Sequence, residues 1–370
     1  LLLRSRRGSY FTMVFVNVNN TRGKEKKPLI VAAALVVSIT LLMQIYAFDF
    51  SVDCRTLTAT EAEVVPSSLR ESNIDTGHDN CCDLARRQSL GFFTDVTTRD
   101  WLLKSEIFHS TQPNIQVPGL LKRPFFLRKT MEKSAKFWEE NFDPEFTCYH
   151  ERRLGGLGDG GKWVCDPHRI GQLSNDDGTR TCLVYSVGSN GNAHFEESVR
   201  DVLLKNGHCT KENLEIHTFD LKAWNERNGE FKDRVEEAGG TFHNWGIKTG
   251  AFSFNTTDYK IPKNLRLLFK TFAETFKELG HSNRQIDIMK IDCEGCEWQS
   301  VEGWFQDYKE QGVLARQILL ELHDSPPDLL FKFFDTMKKN GYVITHKEHT
   351  GSTVEYAFLK LHSSFFEKQE

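Results

Sequence analysis

The sequence predicts an α/β domain with a seven-stranded, mostly parallel sheet and helices on both faces. From about Cys148 onward, apolar runs of strand length alternate with longer amphipathic segments, which is typical of parallel strands joined by crossover helices. The chain closes with two apolar strands, residues 342–345 and 354–359, around Gly351. This final hairpin predicts one antiparallel strand at the C-terminal end of the sheet.

Five strands are predicted before the hairpin, at residues 183–187, 214–219, 241–245, 286–291 and 315–320. The helices between and after them are predicted at residues 192–206, 231–238, 265–279, near 297–304, and 327–339. The last helix begins at prolines and stops at Asn340-Gly341, which are ordinary start and stop signals. Strand and helix therefore alternate regularly up to the hairpin.

The net charge and the cysteine content bear on which binding partners and which cellular compartment are expected. The formal net charge is −4 over 370 residues, so recognition of nucleic acid through a basic surface is not expected. The nine cysteines are an odd number, which in an oxidising compartment leaves at least one thiol unpaired or paired between chains. The cysteines alone do not choose the compartment.

The N-terminal region predicts a membrane anchor at residues 29–48, an apolar stretch long enough to span a bilayer as a helix. Basic residues precede this stretch and Asp49 and Asp53 follow it, so the N-terminus is expected in the cytosol and the remainder in a lumen. A cleaved signal peptide is the alternative, but the stretch is longer than usual and lacks a small-x-small site. Asn255 begins a glycosylation acceptor triplet on the predicted lumenal side.

The chain is thus predicted to have four parts: a cytosolic tail (1–28), an anchor (29–48), a stem with lead-in helices (49–147) and a folded domain (148–370). In the stem, short helices are predicted near residues 81–87 and 98–108, and a longer one at 122–141. The glycine-rich stretch 154–166 predicts either a lid over a ligand or, preferably, a tight hairpin.

The cysteines near the domain predict local cross-links. Two disulfides are expected among Cys148, Cys165, Cys182 and Cys209, with the pairing left open. The Cys293-x-x-Cys296 segment predicts a local bridge or two free thiols. A zinc site is not expected there, because no second pair with similar spacing exists.

Polar segments follow the first two strands of the domain. Gly188 and Gly191 lie in a turn after the first strand, where glycines let a backbone approach a ligand closely. Asp220 ends the second strand and is placed to accept the hydroxyls of a ribose. Each feature has an ordinary structural interpretation as well, since many α/β proteins have a glycine-rich first loop and an aspartate often caps a helix.

A second group of polar residues follows two later strands. Asp292 and Glu294 come after the fourth strand, while Glu321 and His323 end the fifth. Two carboxylates so close together raise the pKa of one of them or attract a cation, which suits deprotonation of a hydroxyl. Helix capping by Glu294 and Glu297 is the structural alternative.

The ordered segments YSVGSNGN, HTFD, HNWG, KIDCEGCEW and LLELH resemble the FkbM-type methyltransferases. The similarity is greatest to the branch that includes the membrane-anchored methyltransferase-like protein 24 family, and it covers roughly residues 151–360. The resemblance implies a Rossmann-like seven-stranded methyltransferase fold, S-adenosylmethionine as cofactor, and methyl transfer, commonly to oxygen.

The resemblance also implies roles for individual residues. Those expected to line the methionine part of the cofactor are Gly188, Ser189, Asn190 and Gly191; Asp220 is expected to hold the ribose, and Asn244, Trp245 and Gly246 to border the adenine. Asp292 and Glu294 are expected to face the transferred methyl group, and Asp292 is expected to act as base or as an electrostatic partner, together with His323. Ser186 and Asn192 depart from the family pattern, which often has an acid and a glycine at those positions.

The sequence therefore predicts an S-adenosylmethionine-dependent O-methyltransferase of the secretory pathway, acting on a small-molecule or glycan hydroxyl. A methyltransferase-fold binding module without activity is the first alternative, favoured by Ser186 and Asn192. An NAD-dependent enzyme is less favoured, because it leaves the KIDCEGCEW segment unexplained. A metal-dependent transferase using Asp292, Glu294 and His323 is a further alternative, although no metal is expected.

Overall fold

The computed structural model describes residues 2–4, 10–12, 89, 96–111, 138–139, 141–157, 160–171, 182–221, 231–248, 264–294, 296–323, 327–350 and 353–367. The chain divides into two compact units, residues 1–56 and 57–370. The predicted anchor (29–48), the acceptor Asn255, and the helix predicted near residues 81–87 lie outside the described residues. None of the described helices has the length and apolar character needed to cross a membrane.

The described strands are β1 (Leu2–Arg4), β2 (Tyr10–Thr12), β3 (Arg152–Leu154), β4 (Lys162–Val164), β5 (Cys182–Val187), β6 (Leu214–Phe219), β7 (Gly240–His243), β8 (Gly246–Ile247), β9 (Phe269–Lys270), β10 (Gln285–Ile286), β11 (Ile288–Ile291), β12 (Leu314–Ala315), β13 (Gln317–Leu322), β14 (Tyr342–Thr350) and β15 (Thr353–Lys360). The described α-helices are α1 (Thr98–Thr111), α2 (His194–Lys205), α3 (Phe231–Glu237), α4 (Phe272–Leu279), α5 (Glu297–Gln311) and α6 (Pro327–Lys339). In the N-terminal unit, β1 and β2 pair as antiparallel strands.

The central sheet has seven strands in the order β14-β15-β13-β11-β5-β6-β7. The five strands from β13 to β7 are parallel, and β15 is antiparallel to both of its neighbours. The predicted seven-stranded sheet and its closing hairpin are confirmed. The order places β5 beside β6 on one side and β11 on the other, so the ends of these three strands meet at one edge.

Both faces of the sheet are covered. Leu183, Tyr185 and Val187 of β5 pack in the core with aromatic residues of α4, α5 and α6. Val184, between them in the strand, packs on the other face with Phe195 of α2. Successive side chains of a strand point to opposite faces of the sheet. Because both faces are covered, all six residues of β5 are buried. This pattern is expected of a central parallel strand.

Two helix boundaries differ from the prediction by about two helical turns. Helix α4 begins at Phe272, not at residue 265, because Thr271 and Glu274 form a capping box: Thr271 Oγ1 accepts from the Glu274 amide, and Glu274 Oε2 accepts from the Thr271 amide. The apolar residues before it form a 3₁₀ turn and β9, which pairs with β8. Helix α5 continues beyond its predicted end to Gln311 and stops at Gly312 in the left-handed conformation.

The hairpin and the disulfides predicted around the start of the domain are present. Strands β3 and β4 pair as an antiparallel hairpin across the glycine-rich stretch, which confirms the preferred interpretation of that stretch. The two predicted disulfides join Cys148 to Cys165 and Cys182 to Cys209. A third bridge joins Cys293 to Cys296, so the local bridge is the alternative that the structure contains.

Candidate active site

The first part of the site is the turn that follows β5. Gly188 has a φ of 76°, and its amide donates to the Phe219 carbonyl over 2.9 Å. A Cβ at Gly188 would lie 1.7 Å from the carbonyl oxygen of Asp292. Glycine is therefore required here both for the left-handed backbone and for the close approach of the two loops that leave β5 and β11.

Asp220, at the end of β6, holds this turn in place. Its Oδ2 atom accepts from the amides of Ser189 (2.9 Å) and Asn190 (3.0 Å), and its Oδ1 atom accepts from the Leu221 amide (2.7 Å). Asn190 has a φ of 46°, and the bond from its amide stabilises that conformation. The residues expected to bind the methionine and ribose parts of a cofactor are thus brought together, with Asp220 also fixing the backbone of the turn.

Asn244, Trp245 and Gly246, the residues expected to border an adenine, follow β7 at the same edge. The indole ring of Trp245 packs against the ring of His243, with 4.5 Å between centroids, and the ammonium of Lys270 lies 3.7 Å from the Trp245 centroid. The buried Nε1 atom of Trp245 has no hydrogen-bond partner among the described residues. We call the turn 188–191, together with Asp220 and Trp245, the glycine edge.

The second part of the site lies beyond β11 and β13. His323 Nε2 is 3.8 Å from Asp292 Oδ1, 3.6 Å from Glu294 Oε2 and 3.7 Å from Glu321 Oε1. Its Nδ1 atom is 3.3 Å from Glu297 Oε1. We call Asp292, Glu294, Glu321 and His323 the acidic edge. The carboxylates and the imidazole that the sequence indicated separately therefore surround one point.

The acidic edge perturbs the pKa values of its members. Burial of the ring opposes a charge on His323, but the bond to Glu297 and the surrounding carboxylates raise its pKa to about 10. Burial raises the pKa of Glu294, whose side chain remains half exposed. At neutral pH the site therefore has a protonated imidazole beside an accessible carboxylate with increased basicity.

Sequence reasoning missed Lys162, which reaches this cluster from β4. Its Nζ atom lies 2.7 Å from Glu355 Oε1, 3.2 Å from Glu321 Oε2 and 3.5 Å from Asp292 Oδ2, and its side chain is 1% exposed. Burial opposes its charge, but the three carboxylates outweigh burial and raise the pKa of Lys162. No local signal marks this lysine, because β4, whose described partner is β3, lies outside the seven-stranded sheet that the sequence predicts.

The pKa values of two carboxyl groups around Lys162 are shifted in opposite directions. Burial acts to raise the pKa of Glu321, but the charge of Lys162 lowers it to about 2. Burial raises the pKa of Glu355 to about 8. A second lysine, Lys290 of β11, contacts the Gly188 carbonyl and lies 3.7 Å from Asp292 Oδ2. Asp292 therefore has a lysine ammonium on two sides and the imidazole of His323 on a third.

The acidic edge also contains a set of atoms suited to a metal ion. One ligand atom each from Asp292, Glu321 and His323 lies within 4.8 Å of the other two. Glu294, which the sequence placed in such a set, is not a member. On each of the two carboxylates, Lys162 contacts the oxygen that does not face His323. An ammonium therefore already supplies positive charge where a metal-dependent enzyme would use a cation.

The sheet order, the glycine turn after β5 and the acids after β6 and β11 define the class of this domain: a Rossmann-like methyltransferase domain. The model of a family described as "Methyltransferase domain" matches residues 83–360, which is more than half of the chain. The chain belongs to that family. No curated protein matches the sequence.

Several solved structures resemble the domain weakly. A Corynebacterium glutamicum protein solved as a structural-genomics target is 11% identical over 70% of this chain and 96% of its own, with a TM-score of 0.31. Precorrin-6y C5,15-methyltransferase from Geobacter metallireducens is 12% identical over 52% and 85%, with a TM-score of 0.27. TrmK from M. capricolum, solved with S-adenosyl-homocysteine, is 11% identical over 52% and 67%, with a TM-score of 0.24. The family assignment rests on the sequence match and the sheet order.

Proposed function

We propose that the protein is an S-adenosylmethionine-dependent methyltransferase that transfers a methyl group to a hydroxyl oxygen. The observation that carries this proposal is the meeting of two different sets of groups at one sheet edge. The glycine edge follows β5, β6 and β7, and the acidic edge follows the adjacent strands β11 and β13. A cofactor bound at the first would present its reactive end to the second.

The residues of the glycine edge fit a nucleoside cofactor. Glycines at positions 188 and 191 leave these two positions of the turn without a side chain. The Oδ1 atom of the Asp220 carboxylate accepts from the Leu221 amide, and its second lone pair can accept a ribose hydroxyl. The buried indole N–H of Trp245 lacks a partner among the described residues, so it can donate to an adenine nitrogen. When bound, the cofactor supplies an electrophilic methyl group on a sulfonium.

The acidic edge supplies the base and its electrostatic support. Glu294 is half exposed and burial raises the pKa of its carboxyl group, so it is suited to take the proton of an acceptor hydroxyl. Asp292 and His323 lie against the same point, where they orient the acceptor and balance charge. Much of the rate enhancement in this arrangement comes from proximity and orientation.

The decisive experiment is calorimetric titration of the full-length chain with S-adenosylmethionine. We expect saturable binding, and we expect Asp220→Ala to weaken it at least tenfold, about 1.4 kcal/mol. Asp201→Ala is the matched control, because Asp201 is an exposed aspartate of α2 that pairs with Arg200. Failure of the folded wild-type chain to bind the cofactor would overturn the proposal.

A binding module without methyl transfer is the second candidate, and two positions favour it. Ser186 stands where relatives often have an acid, and its buried hydroxyl has no partner among the described residues. Asn192 stands where glycine is frequent, and its side chain accepts from the His194 amide at the start of α2. Cofactor binding without transfer to any of a panel of hydroxyl acceptors would favour this candidate.

The proposal also includes the subfamily of the protein and its location in the cell. The FkbM-type resemblance, closest to the methyltransferase-like protein 24 family, supports a type II membrane protein with its domain in a secretory-pathway lumen, such as that of the Golgi. Three disulfides among the described residues suit an oxidising compartment. Protease protection of the domain in sealed microsomes, and glycosidase sensitivity lost in Asn255→Gln, are the expected results.

A further inference from the structure

A second cluster of titratable side chains lies on β6, on the sheet face that α4 covers, apart from the acidic edge. Glu215 and His217 point to the same face of the strand, and His281 follows the C-terminal end of α4. Glu215 Oε2 is 3.3 Å from His281 Nε2 and 3.8 Å from His217 Nε2. One ligand atom from each of the three residues lies within 4.8 Å of the other two.

We infer that Glu215, His217 and His281 form a binding site for a divalent transition-metal ion of the zinc type. Two imidazoles and one carboxylate are a ligand set that zinc takes in proteins, with metal–ligand bonds of about 2.0–2.2 Å. Tetrahedral bonds of that length hold ligand atoms roughly 3.3–3.5 Å apart. The separation of 3.3 Å between Glu215 Oε2 and His281 Nε2 already has this value, and the 3.8 Å between Glu215 Oε2 and His217 Nε2 exceeds it by a few tenths of an ångström.

Both histidines have the support that metal-binding imidazoles require. The Nδ1 atom of His281 is hydrogen bonded to the Tyr185 hydroxyl over 2.7 Å, and the Nδ1 atom of His217 to His243 Nε2 over 2.8 Å. When each Nδ1 carries its proton and donates, each Nε2 presents a lone pair to the cluster. Partners that fix the tautomer and orientation of a ligating ring in this way are characteristic of metal sites.

The cluster of Glu215, His217 and His281 is exposed enough for an ion to enter. The side chain of His281 is buried and that of His217 is 12% exposed, whereas 36% of the Glu215 side chain is exposed. The three ligands therefore line a site closed on the imidazole side and open on the carboxylate side. A water molecule can occupy the fourth position of a tetrahedral ion there.

Arg284 is a cation that competes with a metal ion for the carboxylate of Glu215. It donates to Glu215 Oε2 over 3.0 Å and to Oε1 over 2.7 Å. An ionised carboxylate has about four lone-pair positions, so Oε2 can bind a metal while it accepts from Arg284. The arginine also fixes the plane of the carboxylate. The bound ion would tie β6 to the segment after α4, which is a structural role distinct from methyl transfer.

The test is metal titration of the full-length chain after treatment with a chelator. Zinc titrated calorimetrically should bind at one equivalent, and cobalt should give the visible absorption bands of a tetrahedral site. Loss of second-shell support commonly lowers metal affinity 10–100-fold, so Glu215→Gln and His281→Ala should each lower it by at least about a hundredfold. His323→Ala, which alters the other Asp/Glu/His cluster, should leave the affinity unchanged.

The outcomes separate the interpretations. No zinc uptake by the folded chain, or uptake lost in His323→Ala but kept in Glu215→Gln, would overturn the inference, and the cluster would then be an ion-paired hydrogen-bond network. If the Glu215 variant does not fold, anomalous diffraction at the zinc edge from the wild-type chain decides the matter. A peak between His217 and His281 supports the site, and a peak elsewhere or none overturns it.

Discussion

The glycine edge and the acidic edge lie side by side on one sheet, yet different interactions hold them. At the glycine edge, backbone amides of a turn donate to one carboxylate, and Gly188, Asn190 and Gly191 have left-handed backbone conformations. At the acidic edge, side chains from β4, β11, β13 and β15 meet as charges. A local turn thus builds one half of the site, and long-range electrostatics build the other.

The largest expected effect comes from removing the central cation of the acidic edge. Lys162→Met leaves three carboxylates without their shared ammonium, and breaking a buried ion pair in this way costs about 3–5 kcal/mol. Lys332→Met is the matched control: Lys332 pairs with Glu302 at 2.8 Å, but both side chains are more than half exposed, and such pairs contribute about 1 kcal/mol or less. Urea denaturation measures the unfolding free energy of both variants. Equal losses of unfolding free energy would contradict the electrostatic account.

The corresponding change at the glycine edge is Gly188→Ala. The new Cβ would meet the Asp292 carbonyl, so backbone strain and overpacking should together remove about 2–4 kcal/mol of unfolding free energy and abolish cofactor binding. Gly207→Ala is the control, because Gly207 has a φ of 78° and nothing lies within 4 Å of its added Cβ. If the two variants lose the same stability, steric contact between the two edges is not what requires glycine at 188.

The disulfide inside the acidic edge should matter more for activity than for stability. The Cys293–Cys296 bridge has a sequence separation of 3, against 27 for Cys182–Cys209. Chain entropy therefore predicts losses of about 2 and about 3.5 kcal/mol, respectively, when each pair is changed to serine. Because Cys293 lies between Asp292 and Glu294, only the first pair should slow methyl transfer strongly. Thermal unfolding and initial rates, measured on the same samples, test whether the bridge that contributes less to stability contributes more to activity.

Per pH unit, the smallest effect is the pH dependence that His323 gives the acidic edge. Its pKa is raised to about 10 in the folded protein, above about 6.5 in an unfolded chain. The stabilising contribution is therefore complete below pH 6.5 and is lost as the pH rises through 10, with a slope of about 1.4 kcal/mol per pH unit between these values. His323→Gln should flatten the unfolding free energy between pH 7 and pH 10, whereas His194→Gln, at an exposed position, should leave the slope unchanged.

The two edges also differ in how far the sequence predicted them. Apolar periodicity predicted the strands that position the glycine edge, and the turn is visible as glycines beside small polar residues after β5. Asp292, Glu294 and His323 were indicated as ends of strands, and parallel strands bring their carboxyl ends to one edge. Whether the glycine-edge residues bind a cofactor stays a prediction, as do the catalytic roles.

What the sequence by itself determined is what local physics controls: the alternation of strands and helices, the closing hairpin, and the glycines that a left-handed turn requires. The structure alone decided which distant groups meet. Lys162 reaches the acids of β11, β13 and β15 from a separate hairpin, and His281 reaches Glu215 across the sheet face. Periodicity reports which face of its own element a residue occupies, but contact between charges depends on the order and packing of elements, which no single segment encodes.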